Sequence, residues 1–176
     1  MTYEELKQLT AFARLDGLRM GLLWVGSFAG FLLGFESQPL MLLCLLLSLF
    51  TPILAAIRLR KFRDNIRYGH ISFRRAMAYL LLIFFYGSLI VGAVLFIYFT
   101  FIDHGFLYTQ LSQVYSSPEM QPMLRQLGMT TQQVLTLYRA YRPIDFALQC
   151  ISSSLLFGVI IATPIALIMK RKAIIH

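Results

Sequence analysis

Charge is what this chain has least of. Asp, Glu, Lys and Arg together make up 14% of its 176 residues, against 58% apolar residues and a mean hydropathy of +0.68. That balance excludes a disordered chain, which lacks apolar residues, and an ordinary soluble domain, which is about one quarter charged. Acidic residues are the scarcer sign, 8 against 16 Lys and Arg, for a formal net charge of +8. Cysteine is nearly absent, and Cys44 and Cys150 both lie inside apolar runs. No disulfide framework is therefore expected, and the two read as buried free thiols that carry no information on redox compartment. The three histidines, His70, His104 and His176, are widely separated. No H-E-x-x-H, G-x-S-x-G, Walker or G-x-G-x-x-G pattern occurs, so neither catalytic machinery nor a metal or other cofactor is expected from motifs.

What is present is membrane composition. Four apolar blocks stand out at Leu18 to Phe35, Leu40 to Ile57, Ala76 to Ile102 and Ile144 to Met169. At 1.5 Å per residue the shortest reach about 27 Å, close to the roughly 30 Å hydrocarbon thickness, and the third is long enough to tilt. The first block begins late, carries Arg19 near its start and has no A-x-A site, so it reads as a retained span rather than a cleaved signal. Four crossings put both termini on one side.

Orientation follows from the basic residues, which are retained in the cytoplasm. Thirteen of the sixteen fall on one side: Lys7, Arg14 and Arg19 in the N-terminal arm, seven in the second connection, and Lys170, Arg171 and Lys172 in the tail. The other side holds only Arg125, Arg139 and Arg142, alongside Glu36, Asp103, Glu119 and Asp145. Both termini are thus expected in the cytoplasm. The expected organisation is one transmembrane domain over 1–176, with an amphipathic arm at 1–17, spans at 18–35, 40–57, 76–102 and 144–169, a periplasmic segment at 103–143 and a cytoplasmic tail at 170–176.

The first connection, Glu36-Ser37-Gln38-Pro39, is short enough to force an antiparallel pair. The fold expected is all-α: four transmembrane helices in two antiparallel hairpins, with short interfacial helices in the outer segment. There, Ser116 with Glu119, Pro118 and Gly128 predicts a helix over Pro118 to Leu127. Thr130 with Gln133 opens a second, whose stripe is Val134, Leu137, Tyr138 and Tyr141. Thr2 and Glu5 cap an N-terminal helix with Leu6, Leu9 and Phe12 toward the inner interface. Thr51-Pro52-Ile53 and Thr163-Pro164-Ile165 echo one another near the inner ends of helices two and four, which fits either a duplicated hairpin or the frequency of proline in membrane helices.

Charges inside the membrane would be the default functional candidates, and the apolar blocks hold almost none. Their polar residues are Ser27, Cys44, Ser48, Thr51, Ser88, Gln149, Cys150 and Ser152 to Ser154. These, with Gly21, Gly26, Gly30 and Gly34, read as helix-packing residues, or along the Gln149 and Ser152 to Ser154 face as a path for an ion or substrate. Asp103-His104, Glu36 and Asp145 are the only set that could converge as a metal or acid–base site; otherwise they are caps and solvated carboxylates at helix ends.

The strongest charged feature is the second connection, where Arg58, Arg60, Lys61, Arg63, Arg67, Arg74 and Arg75 fall within 18 residues. Tethered to the bilayer at both ends, it is poorly placed for nucleic acid. It serves as a topology signal, or it also holds anionic lipid phosphate or an acidic partner.

The same connection carries a resemblance. Gly69-His70-Ile71-Ser72-Phe73, with Arg74-Arg75-Ala76 opening helix three, is similar to the G-x-I-S-F-x-x-A signature of the bacterial domain-of-unknown-function family 4199. Phe101-Ile102-Asp103, followed by Gly105-Phe106-Leu107, and the lysine-ended last helix extend the similarity over most of the chain, with His104 where the pattern carries Pro. The resemblance implies a four-helix inner-membrane protein with a long outer segment between helices three and four. It supplies no activity and no catalytic residues, and it implies a neighbourhood of envelope-glycan or glycosyltransferase genes, which makes an envelope-glycan enzyme a candidate membrane partner. The reading is of a non-enzymatic accessory or scaffold subunit of an envelope process, alone, as a homo-oligomer or with such a partner. The rivals are a small transport or lipid-translocating subunit for a phosphate-bearing or polyprenyl-linked lipid, and a membrane enzyme using the outer carboxylates.

Overall fold

Prolines, positive-φ residues and caps divide the chain into eight helices in the computed structural model, which describes residues 3–171. They are α1 (Tyr3–Gly34), α2 (Gln38–Leu49), α3 (Thr51–Ile66), α4 (Phe73–Phe101), α5 (Phe106–Ser116), α6 (Gln121–Gln126), α7 (Thr131–Ala140) and α8 (Pro143–Met169). Four stretches are long and apolar enough to cross a membrane: α1, α2 continued by α3, α4, and α8. The described residues contain no strand, only an isolated bridge in which Ile71 and Arg171 exchange backbone hydrogen bonds of 3.1 and 3.0 Å. Thr2 and Lys172 lie outside the described residues.

The boundaries differ from expectation in instructive ways. The arm and first span form one unbroken helix, α1, and of the proposed arm face only Leu9 is buried, while Leu6 and Phe12 remain exposed. Pro52 has no N–H to continue the ladder, and the second span breaks at Phe50 into α2 and α3. Pro164 sits inside α8 without breaking it, and Thr163 donates to the Val159 carbonyl at 2.7 Å. The expected 18-residue basic loop is mostly helix, because α3 runs to Ile66 and α4 starts at Phe73. The turn between them is made by Tyr68 and Gly69, with φ of 51° and 82°, and the Gly69 N–H closes on the Arg63 carbonyl at 3.0 Å.

The chain forms two compact units. In the first (residues 1–92 and 149–176), Leu9, Ala13 and Met20 of α1 meet Ala55, Leu59 and Phe62 of α3, Tyr79, Ile83 and Phe84 of α4, and Ala162 and Ala166 of α8. Phe62 stacks on Tyr79 at 4.3 Å, and Trp24 tilts against Phe84 at 5.7 Å. Gly17 and Gly21 let α1 close on α4: a Cβ at Gly17 would lie 2.5 Å from that of Tyr86. Of the polar residues expected to pack helices, Ser27, Ser48 and Thr51 join one helix to another. Ser27 Oγ donates to the Cys44 carbonyl at 3.1 Å and meets Ser48 Oγ at 2.7 Å, and Trp24 Nε1 donates to Thr51 Oγ1 at 2.9 Å. Outward, Leu42, Leu43, Leu45, Leu46 and Leu49 of α2 are all more than half exposed, as are Leu156, Phe157 and Ile160 of α8. Such surface is costly in water and needs no burial in lipid.

The second unit (residues 93–148) holds α5, α6 and α7 with the adjoining ends of α4 and α8. The Thr130–Gln133 capping box is present on α7, and Gly128, at φ 65°, ends the preceding helix. The Ser116–Glu119 box is not formed: an unanticipated helix, α5, runs through Ser116, Glu119 bonds to Ser117 instead, and α6 begins only at Gln121 with Pro122 in its first turn. Gln121 Nε2 ties the pieces together, donating to the Tyr115 carbonyl at 2.7 Å and to Thr131 Oγ1 at 3.2 Å. On α7 it is Leu135 that is buried, whereas Leu137 and Tyr141 of the proposed stripe are exposed.

Candidate functional site

The basic residues at the junction of α3 and α4 are organised around three carboxylates, each shared by two arginines. Asp16 of α1 accepts from Arg19 Nη1 at 2.5 Å and faces Arg58 Nη1 at 3.7 Å. Glu5 of α1 pairs with Arg67 at 3.2 Å and with Arg75. Asp64 of α3 pairs with Arg63 at 2.7 Å and Arg60 at 3.6 Å. Six arginines therefore meet three carboxylates, and each group keeps a surplus positive charge.

The members are not equivalent. Asp16 is buried, and its second oxygen accepts from the Tyr79 hydroxyl at 2.5 Å, joining α1, α3 and α4 at one point. Arg63 is buried too: its side chain is 6% exposed and also donates to the Met169 carbonyl at 3.2 Å, which ties α3 to the end of α8. That position leaves Arg63 little surface to offer a ligand. Arg58, Arg67 and Arg75 are half-buried, and the Nε atoms of Arg58 and Arg67 have no partner among the described residues. Arg60, Lys61 and Arg74 are exposed. Of these, Lys61 and Arg74 make no ion pair with the described residues. Beside Arg74 lies an open depression of about 540 Å³ lined by Ser72, just before α4, and by Arg74, Arg75 and Ala78 on its first turns.

Chemically such an arrangement can hold an anion. Guanidinium forks and a helix N-terminus both direct N–H groups at phosphate or carboxylate oxygens. The sequence pattern offers Glu5 only as a cap and singles out neither Asp16, which falls in the segment expected as a separate arm, nor Tyr79, which reads as one more apolar-run residue of the third span. Asp16 followed by Arg19 at i+3, beside Gly17, was the available signal: an ion pair on a helix next to a residue that permits close approach.

The other candidates resolve locally. Asp103 accepts from the backbone N–H groups of Gly105 and Leu107, both at 3.1 Å, and so caps α5. Asp145 is held by Arg142 at 3.0 Å. Gln149 Nε2 donates to Ser153 Oγ on its own helix at 3.2 Å. Among the described residues no group of three or more His, Cys, Asp or Glu side chains comes together to hold a metal.

In comparisons with known proteins, no curated protein and no solved structure matches significantly. A family model described as a protein of unknown function (DUF4199) matches residues 15–171, which takes in Asp16 and all seven cations of the α3–α4 region but not Glu5. With nearly the whole chain inside that match, and with four helices apolar and long enough to cross a membrane, the protein belongs to the DUF4199 family of proteins of unknown function.

Proposed function

We propose that the chain is a non-enzymatic accessory or scaffold protein of a bacterial inner membrane, seated on anionic lipid through its α3–α4 basic surface. In this reading its four spans form two antiparallel hairpins with both termini cytoplasmic. Residues 103–143 are periplasmic, with α5 to α7 at the interface. The observation that carries it is the sharing of each carboxylate by two arginines, with Lys61 and Arg74 in addition. A cluster needed only to retain a loop gains nothing from being arranged around too few acids. An anionic membrane surface supplies the missing counter-charge, at about 1 kcal/mol per nearby cation.

Topology is tested first. Reporter fusions after Arg171 and within 115–128 should give opposite responses, the former cytoplasmic; equal responses, or the reverse pair, defeat the orientation. Lipid binding is tested on the exposed cations alone. Combining Arg60→Gln, Lys61→Gln and Arg74→Gln should weaken retention of phosphatidylglycerol about tenfold or more in native mass spectrometry, with insertion and melting temperature kept. Arg63 is left in place, since its loss would test folding rather than lipid. Unchanged retention, or no preference over zwitterionic lipid in the wild type, would reduce the cluster to a topology signal.

A further inference from the structure

The second unit carries a pocket that neither the basic surface nor the family match accounts for. It has a volume of about 360 Å³ and lies where the last turn of α4 and the first turn of α8 meet α5 and α7. One wall is a run of rings: Phe99 stacks on Phe146 at 4.1 Å, and Tyr138 and Tyr141 each lie 5.3 Å from Phe146. Tyr108, 6.5 Å from Tyr138, also lines the pocket. Two opposite charges flank the rings. Asp103 is fixed by its capping bonds, and Arg139 lies 4.2 Å over the Tyr108 ring. Arg139 makes no ion pair among the described residues.

The Tyr138 hydroxyl is buried and has no hydrogen-bond partner among the described residues. A buried hydroxyl left unpaired costs stability and contributes nothing to the fold. Burial pushes the phenol's pKa up, and the Asp103 carboxylate pushes it further, so Tyr138 stays neutral and adds no charge to the pocket wall.

We propose that this pocket binds a phosphate–ammonium zwitterion of the phosphocholine or phosphoethanolamine class. A simple cation would favour the ring faces and Asp103 but be repelled by Arg139. A simple anion would favour Arg139 but meet the negative ring faces and Asp103. A molecule with both charges satisfies both ends. Its ammonium lies against Tyr138, Tyr141 and Phe146 on the Asp103 side, and its phosphate meets the Arg139 guanidinium. The ligand is either the free zwitterion or a phospholipid headgroup. The site shares no residue with the α3–α4 surface, so it stands or falls separately.

Full-length protein in maltoside micelles, which carry neither charge, is titrated with phosphocholine, phosphoethanolamine, choline and inorganic phosphate by calorimetry. A zwitterion is expected to bind about tenfold or more tightly than either half. Arg139→Gln and Tyr141→Leu, both at exposed positions, should each remove most of that advantage. Native mass spectrometry after transfer from vesicles of phosphatidylethanolamine and phosphatidylglycerol separates the sources. Phosphatidylethanolamine retained by the wild type and lost in Arg139→Gln identifies the headgroup; zwitterion binding in micelles without lipid selection identifies the free molecule. A zwitterion no tighter than phosphate or choline, or affinity indifferent to both substitutions, overturns the proposal.

Discussion

Asp16→Ala is expected to destabilise the protein by about 3–5 kcal/mol, the cost of removing one partner from a buried ion pair. The Asp16 side chain is 10% exposed and holds Arg19, Arg58 and the Tyr79 hydroxyl together. Its removal leaves the half-buried Arg58 with neither its counter-charge nor, at Nε, any protein hydrogen-bond partner among the described residues. The Tyr79 hydroxyl loses its acceptor in the same step, beneath a ring stacked on Phe62. Tyr79→Phe takes away only the hydroxyl bond to the charged group and should cost about 1.5–3 kcal/mol. Combining Asp16→Ala with Arg58→Met removes both charges and should recover part of the loss, since the penalty belongs to the unpaired survivor. The measurement is thermal unfolding of the purified protein in detergent. If Asp16→Ala melts as the wild type does, the carboxylate does not bear this load.

That residue also marks how far the sequence could be read. Spans were legible because bilayer thickness fixes their length: α4 and α8 begin and end within three residues of the expected limits. The Thr130–Gln133 box was legible because a capping box is local chemistry. Tertiary competition decided the rest. Ser116 looked like a cap but was taken into α5, and the basic connection looked like loop but its charges are compatible with helix, so α3 continued until Tyr68 and Gly69 turned it. The pairing of Glu5 with Arg67 and Arg75, 62 and 70 residues away, has no local signature at all. Charge counting found the cations but not the acids that divide them, because Asp16 and Glu5 lay in a segment read as separate from the bundle.

The close approach beside Asp16 supplies the second large effect. Gly17→Leu is expected to cost about 3 kcal/mol, at the upper end of what overpacking a well-filled interior does. A Cβ at position 17 would stand 2.5 Å from the Tyr86 Cβ, 3.2 Å from the Ile83 carbonyl oxygen and 3.3 Å from the Gly87 nitrogen. A flexible side-chain tip could swing away, but backbone and Cβ atoms cannot, so α1 and α4 must separate along this seam. Separation acts twice, because packing between small residues is what holds membrane helices together without a hydrophobic driving force. It also draws Asp16, the neighbouring residue, away from the Tyr79 hydroxyl on the facing helix. Gly26→Leu on the same helix is the matched control: a Cβ there meets nothing within 4 Å, so little change is expected beyond the modest gain in helix propensity. Melting curves of the two variants in the same detergent give the test. Equal midpoints would mean that α1 and α4 do not close on Gly17, and the Asp16–Tyr79 bond that depends on that closure would fall with it.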